Sequence, residues 1–174
     1  LTVTAIVIKV LAAAIAKYPQ FASSVDLANE SIVFKKYCHI GVAVDTPNGL
    51  LVPVIRDANR KTVTQIAVEL AGLSQKARDR KLTLEEMTGS VFSVTNLGGI
   101  GGTSFTPIIN QPEVAILGIS RTAIEPVYKG GQFVPRHMLP LSLSYDHRAI
   151  DGADAARFLR FVADGLEQPL TMVL

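Results

Sequence analysis

One cysteine in 174 residues leaves no partner for an intramolecular disulfide and suits a reducing compartment. That residue, Cys38, falls in a predicted strand with no acid–base partner close in sequence, so it reads as a buried structural thiol rather than a nucleophile. Excess charge of either sign is also lacking. The formal net charge is +2, Lys and Arg are scattered, and no basic face suited to nucleic acid emerges. The one local cluster, Arg78-Asp79-Arg80-Lys81, falls at a predicted helix end, where cations interact favourably with the helix dipole. The three histidines, His39, His137 and His147, have no metal-ligand spacing with each other or with Cys38, which predicts no metal. There is no Gly-x-Ser-x-Gly elbow for a hydrolase-type serine and no carboxylate pair suited to glycoside chemistry. Repeats, low-complexity tracts and linkers are missing as well.

A membrane-length apolar run is absent too. Residues 1–16 are strongly apolar, but Lys9 interrupts them, the run is too short to span a bilayer, and no cationic leader precedes it. It reads as a buried helix ending near Tyr18-Pro19, because proline disfavours helix in the residue before it. No helix start signal precedes it, so upstream sequence is expected to be missing. Residues 1–174 are then one domain, truncated at its N-terminus.

Nearly half of the residues, 48%, are hydrophobic, enough for a chain of this size to bury about 70% of its unfolded surface in one core. Strands are predicted over 31–36, 39–45 and 50–55, the last two joined by the turn Thr46-Pro47-Asn48-Gly49. Thr62 and Gln65 fit a capping box opening a helix to about Arg80, with Ile66, Leu70, Leu73 and Ala77 on one face. Thr83 to Glu86 caps a second, short helix ended by Gly89. Further strands follow at 91–96 and 114–119, a hairpin flanks Gly130-Gly131, and a strand over 138–145 leads into a closing helix over 153–165. The fold class is α/β, a mixed β-sheet covered by helices.

The segment Asp146-His147-Arg148-Ala149-Ile150-Asp151-Gly152 puts an imidazole, a guanidinium and two carboxylates at a strand-to-helix junction, where a general base can be aimed accurately. One carboxylate can pair with Arg148 and fix the turn while the imidazole stays free to accept a proton. A neutral histidine, with an ordinary pKa of about 6.5, can take the proton of a thiol as it attacks. A salt-bridged turn without chemistry has about equal weight on spacing alone. The second segment runs from Phe92 through Thr95 and Asn96 to Gly102. Alternation puts Thr95 on the strand face opposite Val94, where its hydroxyl can donate to a developing oxyanion, and the glycines let backbone approach a ligand. No Lys-Ser/Thr follows to make it a phosphate loop.

Together these segments resemble the catalytic domain of the acyltransferase component of 2-oxo acid dehydrogenase complexes, and the resemblance covers essentially the whole chain. Ile40 to Val54 is similar to that family's central hairpin, Thr95-Asn96-Leu97-Gly98 to its Ser/Thr-Asn-Leu-Gly loop, and Asp146 to Gly152 to its Asp-His-Arg-x-x-Asp-Gly signature. Gln111 to Ser120 and Leu139 to Tyr145 are most similar to the acetyltransferase of the pyruvate complex. The resemblance implies a chloramphenicol-acetyltransferase-like two-layer fold, homotrimers building a cubic or dodecahedral core, and an active site between two subunits. It implies coenzyme A as substrate, a lipoyl group on a separate domain as acyl carrier, and the first and third enzymes of the complex as partners through domains absent here.

Carried over residue by residue, the resemblance makes His147 the general base and Thr95 the oxyanion donor. Asp151 supports the site together with Arg148, and Asp45, Asn96, Gly99 and Ser120 line the coenzyme A side. The reaction is acetyl transfer between S-acetyldihydrolipoyl-lysine and coenzyme A. Succinyl or branched-chain transfer and a purely structural core are the alternatives. Neither nucleic acid nor membrane is expected as partner, and the compartment implied is the bacterial cytoplasm or, alternatively, the mitochondrial matrix.

Overall fold

The computed structural model describes residues 1–169. Helix α1 (Val3–Lys17) buries residues all round, from Ala5, Val7 and Ile8 to Ala14 and Ile15. It lies between α2 (Val63–Arg78), α3 (Gly152–Glu167) and the sheet, which is why its sequence is apolar on every side. A start signal exists after all: the Thr2 hydroxyl accepts from the Ala5 N–H at 3.3 Å. Helix α2 opens on the expected Thr62–Gln65 capping box and buries Ile66, Leu70, Leu73 and Ala77. The second short helix shrinks to a single 3-10 turn, Glu85–Met87, although Thr83 and Glu86 exchange the reciprocal capping bonds. No helix of the described residues is long and apolar enough to cross a membrane.

Ten strands follow one another among the described residues. They are β1 (Ser23–Asp26), β2 (Ser31–Phe34), β3 (Ile40–Thr46), β4 (Gly49–Leu51), β5 (Val54–Ile55), β6 (Phe92–Asn96), β7 (Ala115–Ile119), β8 (Ala123–Lys129), β9 (Gln132–Met138) and β10 (Leu141–Tyr145). The main sheet has the order β10-β7-β6-β3-β4, with β5 also on β3. Strand β6 runs parallel to both β3 and β7, and the other pairings in this sheet are antiparallel.

The strands also depart from expectation. β1 was not predicted: its four residues are too few and too polar to show a period. It pairs with β2 across a turn built by Asp26, whose carboxylate accepts from the N–H groups of Ala28 and Asn29 and from the Asn29 amide. The single strand expected over 50–55 breaks at Val52-Pro53, because proline has no N–H for a ladder; its carbonyl accepts from Val42 instead, at 2.8 Å. The hairpin around Gly130-Gly131 is longer than expected, with Pro126 opposite Pro135 on two strands that each keep a free edge.

Register gives the main sheet two unlike faces. Ile40 and Val42, Phe92 and Val94, Leu117 and Ile119, and Leu141 and Leu143 point to the helices. There Phe158 of α3 stacks on Phe21 with ring centroids 3.9 Å apart and lies 5.6 Å from Phe92. The opposite face carries the rows Gly41–Ser93–Ile116–Ser144 and Ala43–Thr95–Gly118–Ser142. Apart from Ile116, the side chains in these rows are small or hydroxylic. Phe105 folds onto this face so closely that a Cβ on Gly118 would stand 2.7 Å from the ring.

Candidate active site

The histidine turn is held from both ends. At the end of β10 the Asp146 N–H donates to the Val114 carbonyl at 2.8 Å, and the Ala149 and Ile150 N–H groups donate to the Asp146 carbonyl at 3.0 and 3.1 Å. Ile150, 2% exposed, anchors the turn in the core. Asp151 caps α3, accepting from the Asp154 N–H at 2.8 Å. Of the two carboxylates within reach, Arg148 grips Asp146. Its Nε lies 2.9 and 3.1 Å from the two carboxylate oxygens, its Nη2 lies 2.5 Å from Oδ2, and its backbone N–H donates at 3.0 Å. That guanidinium holds the Asp146 carboxyl below its ordinary pKa. Asp146 is thus the one of the two carboxylates offered by the sequence that pairs with the guanidinium and fixes the turn. His147 is exposed, tilted beside Tyr145 with ring centroids 5.6 Å apart, and makes no hydrogen bond among the described residues.

Thr95 lies one residue before the end of β6, half-buried, and its hydroxyl makes no hydrogen bond among the described residues. The loop after it is organised by Asn96, whose Oδ1 accepts from the Gly98 N–H at 2.8 Å while its Nδ2 donates to Thr4 of α1 at 3.0 Å. Beyond the turn, Gly101 and Gly102 hold φ values of +136° and +87°, which favour glycine. A cleft of about 330 Å³ opens beside this loop, lined by Asn96, Gly98, Gly99, Ser120, Arg121 and Thr122 among others. So the structure gathers Asn96, Gly99 and Ser120 but not Asp45, which is exposed on β3 opposite Leu50 and does not line the cleft. The Ser120 hydroxyl is buried there and makes no hydrogen bond among the described residues.

His39 and Cys38 have structural roles. The Asp57 N–H donates to His39 Nδ1 at 3.0 Å, and burial pushes this imidazole below its ordinary pKa. Burial pushes the Cys38 thiol up to about 11, so it stays protonated at neutral pH. His137 lies on the exposed hairpin opposite Ile124.

One chain does not bring Thr95 and His147 together. Register sets Thr95 level with Gly118 and Ser142, two strands apart at ~4.8 Å each. From Ser142 to Tyr145 the chain runs about 10 Å further at ~3.3 Å per residue, leaving about 14 Å from Thr95 to Tyr145, with His147 two residues beyond. Proton transfer requires groups within about 3 Å or one water. The two halves can serve one reaction only if a second copy supplies one of them.

Known proteins bear on this arrangement. Residues 1–174 match the family model of the 2-oxoacid dehydrogenases acyltransferase (catalytic domain). The chain is 55% identical over 163 residues to the dihydrolipoyllysine-residue acetyltransferase component of pyruvate dehydrogenase complex of Buchnera aphidicola, covering 94% of this chain and 41% of that protein. It is 52% identical over its full length to the same component of Pseudomonas aeruginosa, covering 32% of it. The chain thus spans less than half of these relatives. Among solved structures it resembles Azotobacter vinelandii dihydrolipoamide acetyltransferase, with a TM-score of 0.98, 50% identity, and coverage of 100% of this chain and 72% of that one. That structure was used to investigate the catalytic role of a serine, a histidine 52 residues further on, and an asparagine four beyond that. The cubic core of the pyruvate dehydrogenase multienzyme complex matches with the same TM-score of 0.98 and the same 50% identity. Chloramphenicol acetyltransferase, at 14% identity and a TM-score of 0.60, shares the fold alone.

Proposed function

Because this chain belongs to the 2-oxoacid dehydrogenase acyltransferase family, as its catalytic domain, we propose that it transfers an acetyl group between S-acetyldihydrolipoyl-lysine and coenzyme A within an oligomeric core. The observation that carries the reading is the spacing of Thr95, His147 and Asp151. They stand 52 and four residues apart, as do the serine, histidine and asparagine studied in the Azotobacter vinelandii enzyme. Thr for Ser keeps the hydroxyl. Asp for Asn keeps a side-chain acceptor, and here that acceptor caps α3 directly behind the histidine turn.

The chemistry follows from those groups. His147 of one subunit takes the proton of the coenzyme A thiol, and the resulting thiolate attacks the thioester carbonyl. A carbon–sulfur bond forms, and the carbonyl oxygen becomes an oxyanion that accepts a hydrogen bond from Thr95 of the neighbouring subunit. Collapse breaks the bond to the dihydrolipoyl sulfur, which leaves with the proton held by His147. Acetyl-coenzyme A and free dihydrolipoyl-lysine result, and no covalent enzyme intermediate is needed. Coenzyme A suits the cleft at Asn96, Gly99 and Ser120, where a buried hydroxyl lacks a partner and Arg121 adds positive charge. Bacterial relatives favour the cytoplasm as the compartment.

The test is His147→Ala in the assembled full-length subunit, assayed with acetyl-coenzyme A and dihydrolipoamide. A loss of about 10²- to 10⁴-fold in kcat is expected. Activity within twofold of wild type sinks the assignment. An assembled core that lacks activity even with the wild-type histidine favours the purely structural role, and faster transfer of succinyl or branched-chain donors replaces acetyl as the group moved.

A further inference from the structure

Glu113 is the one buried carboxyl among the described residues, and the proposed chemistry leaves it unused. It is 5% exposed, and its Oε1 accepts from the hydroxyls of Ser90 at 2.5 Å and Ser93 at 2.9 Å, while Oε2 makes no hydrogen bond. Room for this cluster is made by Gly41 on the adjacent strand. A Cβ there would stand 2.7 Å from the Ser93 hydroxyl oxygen and 3.3 Å from Ser90 Cβ. The chain around the cluster reaches both halves of the candidate site. Ser93 is two residues before Thr95 on β6, and Val114, next to Glu113, accepts the Asp146 N–H that begins the His147 turn.

Resting on the acyl-transfer reading above, we propose that Glu113 is a positioning residue: through Ser90, Ser93 and the adjoining Val114 carbonyl, it locks the strand that carries Thr95 against the turn that carries His147. Each subunit lends its hydroxyl to one active site and its imidazole to another, so this brace fixes the geometry of two sites at once. Burial raises the pKa of Glu113, outweighing Ser90, Ser93 and the Asn110 side chain, which favour the charged form. The charged groups lining the cavity beside it are Asp146 and Arg148, which neutralise each other; Gln111 and Ser144 are its other polar neighbours there, and β3 presents only Gly41.

The experiment uses the assembled full-length subunit, with kcat and KM for both substrates measured from about pH 6 to about pH 9. Glu113→Ala is expected to lower kcat by about 10²-fold while both KM values stay within about twofold, the signature of misplaced reacting groups with intact binding. Glu113→Gln keeps the acceptor for both serines and cannot ionise. It is expected to restore kcat to within about threefold of wild type, because the hydrogen bonds to both serines are kept. An assembled Glu113→Ala core with wild-type kcat overturns the proposal, as does an assembled Glu113→Gln core whose kcat falls as far as that of Glu113→Ala. If the alanine variant does not fold, Ser93→Ala decides instead: lowered kcat with unchanged KM supports the brace, and wild-type kcat overturns it. His147→Ala in the same assay keeps the two readings apart, because full activity there rejects the acyl-transfer assignment rather than the brace.

Discussion

Subunit mixing tests the separation of Thr95 and His147 directly. With about 14 Å of backbone between Thr95 and Tyr145, and His147 further on, neither side chain can act on the other's substrate within one chain. Thr95→Ala alone removes an oxyanion donor and should cost about 10²- to 10³-fold, and His147→Ala about 10²- to 10⁴-fold. Unfolding equal amounts of the two variants and refolding them together should restore activity. In a cyclic assembly each site then has a one-half chance of an intact imidazole and an independent one-half chance of an intact hydroxyl from the neighbour. About a quarter of wild-type activity is expected. The converse mixture sharpens the test. Wild type refolded with an equal amount of the double variant should also give about a quarter if the site is shared, but about a half if each chain holds a complete site. Acetyl-coenzyme A consumption with dihydrolipoamide is the readout, with differently tagged subunits to prove mixing. Proven mixed particles that stay as inactive as either single variant would refute the shared site.

Other perturbations have defined outcomes. Thr95→Ser should stay within about threefold of wild-type kcat, because only the hydroxyl is required; a loss as deep as that of Thr95→Ala would show that the methyl group matters as much. Asp146→Asn should slow transfer by about tenfold through a loosened Arg148 clamp, yet leave the urea midpoint close to that of wild type, since the Arg148 end of the pair is mostly solvent-exposed. Phe158→Ala should cost about 3–5 kcal/mol by urea unfolding, because it empties the fully buried centre of the stack with Phe21 and Phe92. His39 governs part of the acid response. Its folded pKa lies below 6.5, so the unfolded chain binds the proton more tightly, and the stability present above 6.5 is lost as pH falls through the folded value. Urea midpoints compared above and below that window should fall more for wild type than for His39→Gln, and parallel curves would count against this account.

Local pattern and tertiary structure divided the information unevenly. The Thr62 capping box, the α2 face and the hairpin at Gly130-Gly131 were legible because each is written in residues a few positions apart. β1 was not, since four polar residues carry no period and gain strand character only by pairing with β2. Pro53 interrupts what its apolar neighbours suggest is one strand, because a missing N–H outweighs hydropathy. The chemistry-bearing residues were legible by type, but not by partner. Arg148 had two carboxylates within reach along the sequence, and the tight turn held by Val114 and Ile150 gave it Asp146 while Asp151 went to the helix N-terminus.

The sequence by itself determined that an imidazole sits in a strand-to-helix turn and a hydroxyl on a strand before a glycine loop, because side-chain chemistry and short-range backbone preference are local properties. Only the tertiary structure decided that these groups stand at opposite ends of one sheet, and that Ser90, Ser93 and Glu113 meet above Gly41. Strand order and register join residues far apart in the chain, and no local preference encodes that distance.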